Sequence, residues 1–343
     1  MLFWCLAGGI QNRFVDLSHQ AVASAAFPVS LGLRTQALKL KFVTPDTPGR
    51  FIEPVLPFQS AIEIFNARFN TAVVKNAVHE ARIGDSVSLI YAPFYAEDRL
   101  YDAVLNQPVA TGIFDLDVAP LSEKHPGAAL RFIPALCPKC GWDLDGQRDS
   151  LALTCRNCRT LWQADNKGVL KPLTVSYLPE EGDTTVYLPF WRIKAAVSGV
   201  ALDTYADLAR LANLPVAVRP EWETLPFYFW GPAFKVRPES YMRLFNHVTA
   251  AQPLEKLTSG LPDAPCYPAV NMPLKESMES LMVTLASLIK PQRAFADNID
   301  RIQVAPQSYR LVYLPFQENH HEYIQPRMCL AVNKNQLMLS KNL

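Results

Sequence analysis

The feature that most constrains this chain is a pair of cysteine turns, Cys137-Pro-Lys-Cys140-Gly and Cys155-Arg-Asn-Cys158, separated by residues 141–154. A CxxC turn places two sulfurs on one side of an ion. Two such turns supply four thiolates, a donor set that zinc holds in a tetrahedron. Gly141 suits the left-handed backbone expected after the first turn, whereas Arg159 stands at that place in the second. Four sulfurs leave no open coordination position, so Cys137, Cys140, Cys155 and Cys158 predict a closed structural site and not a catalytic one. Zinc is the expected ion, with iron the second choice. Lys139, Arg156 and Arg159 would offset the negative charge of the site.

Composition narrows the setting. Four of the seven cysteines are paired as metal ligands, which suits a reducing compartment better than a disulfide scaffold, so a cytoplasmic location is expected. Cys5, Cys266 and Cys329 lie in apolar or proline-rich surroundings and read as buried free thiols, with no local histidine to activate them. The formal charge is +1. Four thiolates and a divalent ion would bring it near −1, which offers no bulk attraction to nucleic acid or to an anionic bilayer. No apolar run reaches the roughly 18 residues of a transmembrane helix. The short apolar start, Met1–Gly9, lacks a basic flank, so no signal peptide is expected. With 343 residues the chain has room for two or three domains, and 28 prolines against 14 glycines predict stiff connections.

A second pattern runs through the chain. Tyr91-Ala-Pro93-Phe94 returns as Tyr187-Leu-Pro189-Phe190-Trp191 and as Tyr313-Leu-Pro315-Phe316, with a looser relative at Phe229-Trp230-Gly-Pro232-Ala-Phe234. Proline cannot donate to a sheet ladder, so each copy is expected at a sheet edge, a bulge or a kinked strand end. Apolar stripes predict helices over Gln59–Ala81 and from Asn271 to just before Pro291, and the helix-to-strand spacing ahead of the first and third copies is similar, 34 and 40 residues. Shorter helices are expected over Asp203–Ala212 and from Arg237-Pro238-Glu239 onward, where proline and an acid favour a first turn. Strands are expected at 37–43, 86–91 and 101–104. The C-terminus reads as a hairpin turning at Asn333-Lys-Asn335.

The resulting expectation is an α+β fold of duplicated modules, each one helix on a mainly antiparallel sheet, with a four-cysteine ribbon inserted. Its parts are an N-terminal arm (1–54), a first module (55–133), the ribbon (134–166), a middle α+β module (167–260) and a C-terminal module (261–343).

The cysteine turns resemble the zinc-ribbon (rubredoxin-like) superfamily over residues 134–166. That module occurs in transcription factors, polymerase subunits, ribosomal proteins and enzymes, so the resemblance implies a zinc-held fold and no particular activity. The remainder is similar to bacterial zinc-ribbon proteins with Tyr-x-Pro-Phe strands, which implies no activity either. His320-His321-Glu322 is the only tight histidine cluster and reads as a solvated hairpin loop, since neighbours on a strand face opposite ways. His19 reads as part of a charged surface loop, and His79 and His247 fall on predicted helices. Trp142, Trp162 and Trp191 with Arg156, Arg159 and Arg192 raise base stacking with phosphate contact as an alternative. No phosphate-binding loop, dinucleotide fingerprint, zinc-protease helix or nucleophile elbow is present. The expected function is a non-catalytic scaffold that binds a protein partner. A nucleic-acid-associated protein and a redox protein or enzyme with a rubredoxin-like iron site are the alternatives.

Overall fold

The computed structural model describes residues 47–69 (without 53), 90–109 and 133–339, apart from 148, 166, 181–185, 254, 264–266, 292–294 and 296–297, and the single positions 2, 3, 12, 13, 17, 20 and 43. The chain divides into two compact units, one of residues 1–77 and 85–132 and one of residues 78–84 and 133–343.

In the first unit, Leu2–Phe3 (β1) pairs with Asn12–Arg13 (β2). Helix α1 spans Phe58–Phe69, starting one residue before the expected boundary; the rest of the predicted helix lies outside the described residues. So do the strand expected at 37–43, apart from Val43, and most of that at 86–91. A three-stranded meander follows, Phe94–Ala96 (β3), Leu100–Asp102 (β4) and Gln107–Pro108 (β5). Tyr95 and Tyr101 face each other across β3 and β4 with stacked rings 5.1 Å apart. The predicted strand at 101–104 is cut short because Asp102 makes a turn. Its buried carboxylate accepts from the amides of Val104 (2.7 Å) and Leu105 (2.9 Å), the local bonding that favours Asp in turns.

The second unit opens with the ribbon. Leu144–Asp145 (β6), Leu153–Cys155 (β7), Thr160–Ala164 (β8) and Leu170–Leu173 (β9) form an antiparallel four-stranded sheet, which carries the ribbon beyond residue 166. The main sheet has seven strands: Val175–Tyr177 (β10), Val186–Ser198 (β11), Phe229–Pro232 (β12), Thr258–Ser259 (β13), Gln303–Glu318 (β14), Glu322–Gln325 (β15) and Leu330–Asn333 (β16). Its order is β12-β11-β14-β10-β13, and β15 with β16 extends from β14. The β10–β14 pair is parallel and the other pairs are antiparallel, so the α+β class with mostly antiparallel sheets holds.

The modules differ from expectation. The second and third aromatic-proline copies do not head separate sheets; they lie side by side at the centre of one. Tyr187 faces Pro315, Leu188 faces Leu314 and Pro189 faces Tyr313. Neither proline marks a sheet edge or a strand end, which corrects the expectation. The reason is the direction of the backbone polar groups. The Pro189 carbonyl accepts from the Ala233 amide and the Tyr313 carbonyl from the Leu178 amide, so both residues point their polar groups away from the β11–β14 ladder. Proline at such a position removes no bond between the two strands. The bulge rule survives at Pro306, which sits where the register slips between Lys194 and Ala195. Leu188, Phe190, Trp191, Ile193, Leu311–Leu314 and Phe316 are all at most 1% exposed, as strands covered on both faces should be.

Helices α2 (Tyr205–Leu211), α3 (Pro238–Ala251), α4 (Leu274–Glu279) and α5 (Leu281–Leu288) complete the core, followed by α6 (Lys334–Leu339). A capping box starts α2: Asp207 N–H donates to the Thr204 hydroxyl while the Asp207 carboxylate accepts from the Thr204 amide. Helix α3 begins with Pro238 and Glu239 as predicted. Its first contact with the sheet is close: a Cβ on Gly231 would come within 2.9 Å of both the Phe245 ring and the Ser277 hydroxyl. The long helix expected after Asn271 is two, α4 and α5. Ser280 stands between them with its hydroxyl donating to the Glu276 carbonyl (2.8 Å), a back-bond that bends helices.

The C-terminal hairpin turns elsewhere than predicted. β15 and β16 are joined through Pro326–Cys329, where Cys329 N–H donates to the Pro326 carbonyl (3.1 Å). Asn333 instead opens α6, its side chain accepting from the Asn335 amide (2.8 Å). Asparagine serves turns and helix starts by the same bonding, so the sequence pattern did not separate them.

Candidate metal centre

The ribbon brings the four predicted cysteines together: the sulfurs of Cys137, Cys140, Cys155 and Cys158 all lie within 4.8 Å of one another. The shortest edges join the two turns, Cys137 to Cys158 at 3.5 Å and Cys140 to Cys155 at 3.4 Å. A tetrahedron with metal–sulfur bonds near 2.3 Å has edges of about 3.8 Å, so the cluster has the dimensions to hold one ion. It is the only group of three or more such side chains close enough to do so among the described residues.

Local backbone builds the cradle. Gly141 N–H donates to the Cys137 carbonyl (2.8 Å) and Cys137 N–H to the Trp142 carbonyl (2.7 Å), closing the first turn. Gly141 has φ +73, and Arg159 takes the matching place with φ +53. The second turn thus keeps the same left-handed geometry without glycine, at a steric cost of roughly 1–2 kcal/mol. Its side chain provides an offset, since Arg159 Nη2 donates to the Leu261 carbonyl (3.2 Å) and faces Asp263 at 3.9 Å.

The sulfurs differ in environment. Burial works against ionising Cys137, but the amides of Lys139 and Cys140 and the Cys158 thiol bring it down to about 6. The Trp142 amide and the Asn157 side chain lower Cys140. Burial pushes Cys155 up to about 12, its amide contact from Cys158 being too little to compensate. Cys155 is fully buried, and a cation is what would stabilise a thiolate there. Thr160 adds an outer support that the sequence pattern did not single out. Trp162 Nε1 donates to Thr160 Oγ1 (2.8 Å), which leaves the hydroxyl proton for Cys158 Sγ at 2.9 Å.

Apart from these sulfurs the ribbon has little core. Cys137, Cys155, Leu144 and Trp162 form its buried cluster, with Leu153, Cys158 and Leu170 against it. The ribbon is also tied to the rest of its unit: Leu151 N–H donates to the Val270 carbonyl (2.7 Å), Asn271 Nδ2 donates to Asp149 (2.7 Å), and Leu161 joins the main core. A cleft of about 220 Å³ runs along this seam, lined by Arg156, Arg159, Leu261, Asp263 and Tyr267 among others.

The remaining candidates are dispersed. Trp162 and Trp191 are buried with their indole N–H groups bonded to Thr160 and to the Met272 carbonyl, so neither offers a stacking face; Trp142 is 60% exposed. Arg156 pairs with Asp145, and Arg192 lies on the Tyr228 ring. His320 and His321 sit at the exposed tip of the β14–β15 hairpin with rings 4.4 Å apart. His247 bonds through Nε2 to the Met328 carbonyl. Cys329 is exposed, which corrects its expected burial: its turn at φ +49 sits on the surface. Cys5, Cys266, His19 and His79 lie outside the described residues. No helix among the described residues is long and apolar enough to cross a membrane. Comparison with known proteins finds no matching family model, curated protein or solved structure.

Proposed function

We propose that the four cysteines hold a structural zinc ion and that the ribbon presents a docking surface for a protein partner, as a non-catalytic scaffold component of the cytoplasm. The observation that carries this reading is the exposure of Trp142 and Leu136, 60% and 51%, on either side of the first cysteine turn. The backbone there is pinned by the Leu136–Asp143 bridge and the Gly141 turn, so an exposed tryptophan is held on a fixed loop beside the cluster. A large aromatic side chain on a rigid support is the kind of group that anchors protein interfaces. Four thiolates with no open position favour structure over catalysis. The reducing conditions that keep these thiols available favour the cytoplasm.

The test has two readouts. Metal analysis of purified protein should return one zinc per chain without visible absorbance; charge-transfer bands of thiolate-bound iron would overturn the metal assignment. Affinity purification from the native cell should recover a specific protein with the wild type and lose it with Trp142→Ala. Equal recovery by both would overturn the docking surface.

A further inference from the structure

We propose that Arg192 and Arg310 form a binding site for a small phosphate-class dianion on the main sheet, separate from the cysteine cluster. The two residues stand directly opposite each other on β11 and β14. Directly opposed residues of antiparallel strands share one face at close range, where like charges repel. Neither guanidinium forms an ion pair among the described residues. The natural remedy for two abutting cations without a carboxylate is a bound anion.

The row in which they sit is built. Trp230 faces Arg192 from β12, and the Arg192 guanidinium carbon lies 3.5 Å from the Tyr228 ring centroid and 5.7 Å from the Trp230 ring. The aromatic faces hold the guanidinium plane in place, with little of the rotamer freedom a surface arginine would lose on binding. On the other side, Arg310 Nη1 donates to the hydroxyl of Ser176 (3.1 Å), a side chain only 1% exposed, which fixes the second fork. Lys194 lies two residues along the same strand with its ammonium 5.8 Å from the Tyr228 ring, donating to the carbonyls of Asp203 (3.2 Å) and Phe227 (3.3 Å). Arg192 and Lys194 thus lie beside Tyr228, and Arg310 adds a third cation to the same face one strand over.

Two buried donors in this row, Nε of Arg192 and Nε1 of Trp230, have no hydrogen-bond acceptor among the described residues. Buried donors are almost always paired, so two orphans at one place are a sign of an acceptor that the described residues do not supply. Two guanidinium forks match the oxygens of a phosphate group bidentately, and three positive charges favour a dianion over a monocarboxylate.

The test uses the full chain with its metal, titrated at constant ionic strength with inorganic phosphate, phenyl phosphate or chloride, and followed by thermal unfolding and ³¹P line width. Saturable stabilisation and broadening by phosphate but not chloride are expected. A stronger effect of phenyl phosphate marks a phosphate monoester as the ligand, and an effect confined to inorganic phosphate marks the free ion. Arg310→Gln should abolish the response, with cooperative ligand-free unfolding showing that the variant still folds. Arg310→Lys should weaken binding about tenfold or more, because charge remains but the fork is lost. No saturable response, or the same response in Arg310→Gln, overturns the proposal.

Discussion

Pro189 stands opposite Tyr313 in the middle of the main sheet, and the two point their backbone polar groups in opposite directions. A local two-fold relation links the Tyr-Leu-Pro-Phe copies, so each proline meets the tyrosine of the other copy. The ladder between the strands is carried by Leu188 with Leu314 and by Phe190 with Val312. Tolerance of proline should therefore alternate along β11. Pro189→Ala should cost no more than about 1 kcal/mol, mainly through a looser unfolded chain. Leu188→Pro should cost about 3 kcal/mol or more, since it removes a ladder bond as well as a buried side chain. Denaturant unfolding of the two variants compares them directly.

Removing the metal should have a local effect. Because the ribbon's small core is mostly its own sulfurs and Trp162, chelation should speed amide exchange through residues 136–164 while β11 and β14 stay protected. Hydrogen exchange with mass spectrometry reads both regions in one experiment. Simultaneous loss of protection in β14 would mean that the ion holds the whole unit.

Thr160 should matter to the ion without touching it. Thr160→Val keeps the shape but deletes the hydroxyl shared by Trp162 and Cys158. Metal affinity should fall about 10-fold or more, as for other outer-shell partners. Competition with a chromophoric chelator measures it.

Arg159 separates backbone strain from side-chain bonding. Arg159→Ala keeps the left-handed backbone and loses the bond to Leu261, so it should destabilise by about 1 kcal/mol. Arg159→Gly loses the same bond but relieves the strain, and should be close to wild type. Unfolding curves that rank alanine equal to or above glycine would contradict this account.

The capping box of α2 gives a pH dependence of known sign. Burial would raise the Asp207 carboxyl, but the Thr204 hydroxyl and amide and the Asp203 amide outweigh it and hold the carboxyl below its usual range. A depressed folded value contributes stability above the unfolded pKa, and that contribution is lost as pH falls through the folded one. Asp207→Asn should therefore cost about 1 kcal/mol at pH 7. The gap to wild type should narrow steadily below about pH 4. Urea unfolding at a series of pH values tests it.

What the sequence made legible was local. The cysteine turns, the start of α3 at Pro238 and α2 over residues 205–211 each declare themselves within a few residues, through ligand spacing, a proline at the first turn or an apolar stripe. What it hid was relational. The aromatic-proline copies could be seen, but not that two of them would pair, because pairing depends on which strands the rest of the chain brings alongside. Ser280 fell inside a single predicted helix and Asn333 in a predicted turn, and each carries a local side-chain bond at the place where the structure departs from that pattern. Arg310 escaped notice because its partner Ser176 is brought alongside from a distant strand, and Thr160, though its partners are two residues away on either side, because threonine beside a cysteine turn carries no spacing signal of its own.

The pairing of β11 with β14 also dictates how the second unit can come into being. Its two central strands lie at residues 186–198 and 303–318, so the first leaves the ribosome long before its partner exists. Until then, an apolar strand that will end up fully enclosed has nothing to lie against, and closing so long a loop is slow. Truncation between 260 and 303 would make that passing exposure permanent. Fragments of this kind should collect as aggregates, while chains that reach residue 318 regain solubility.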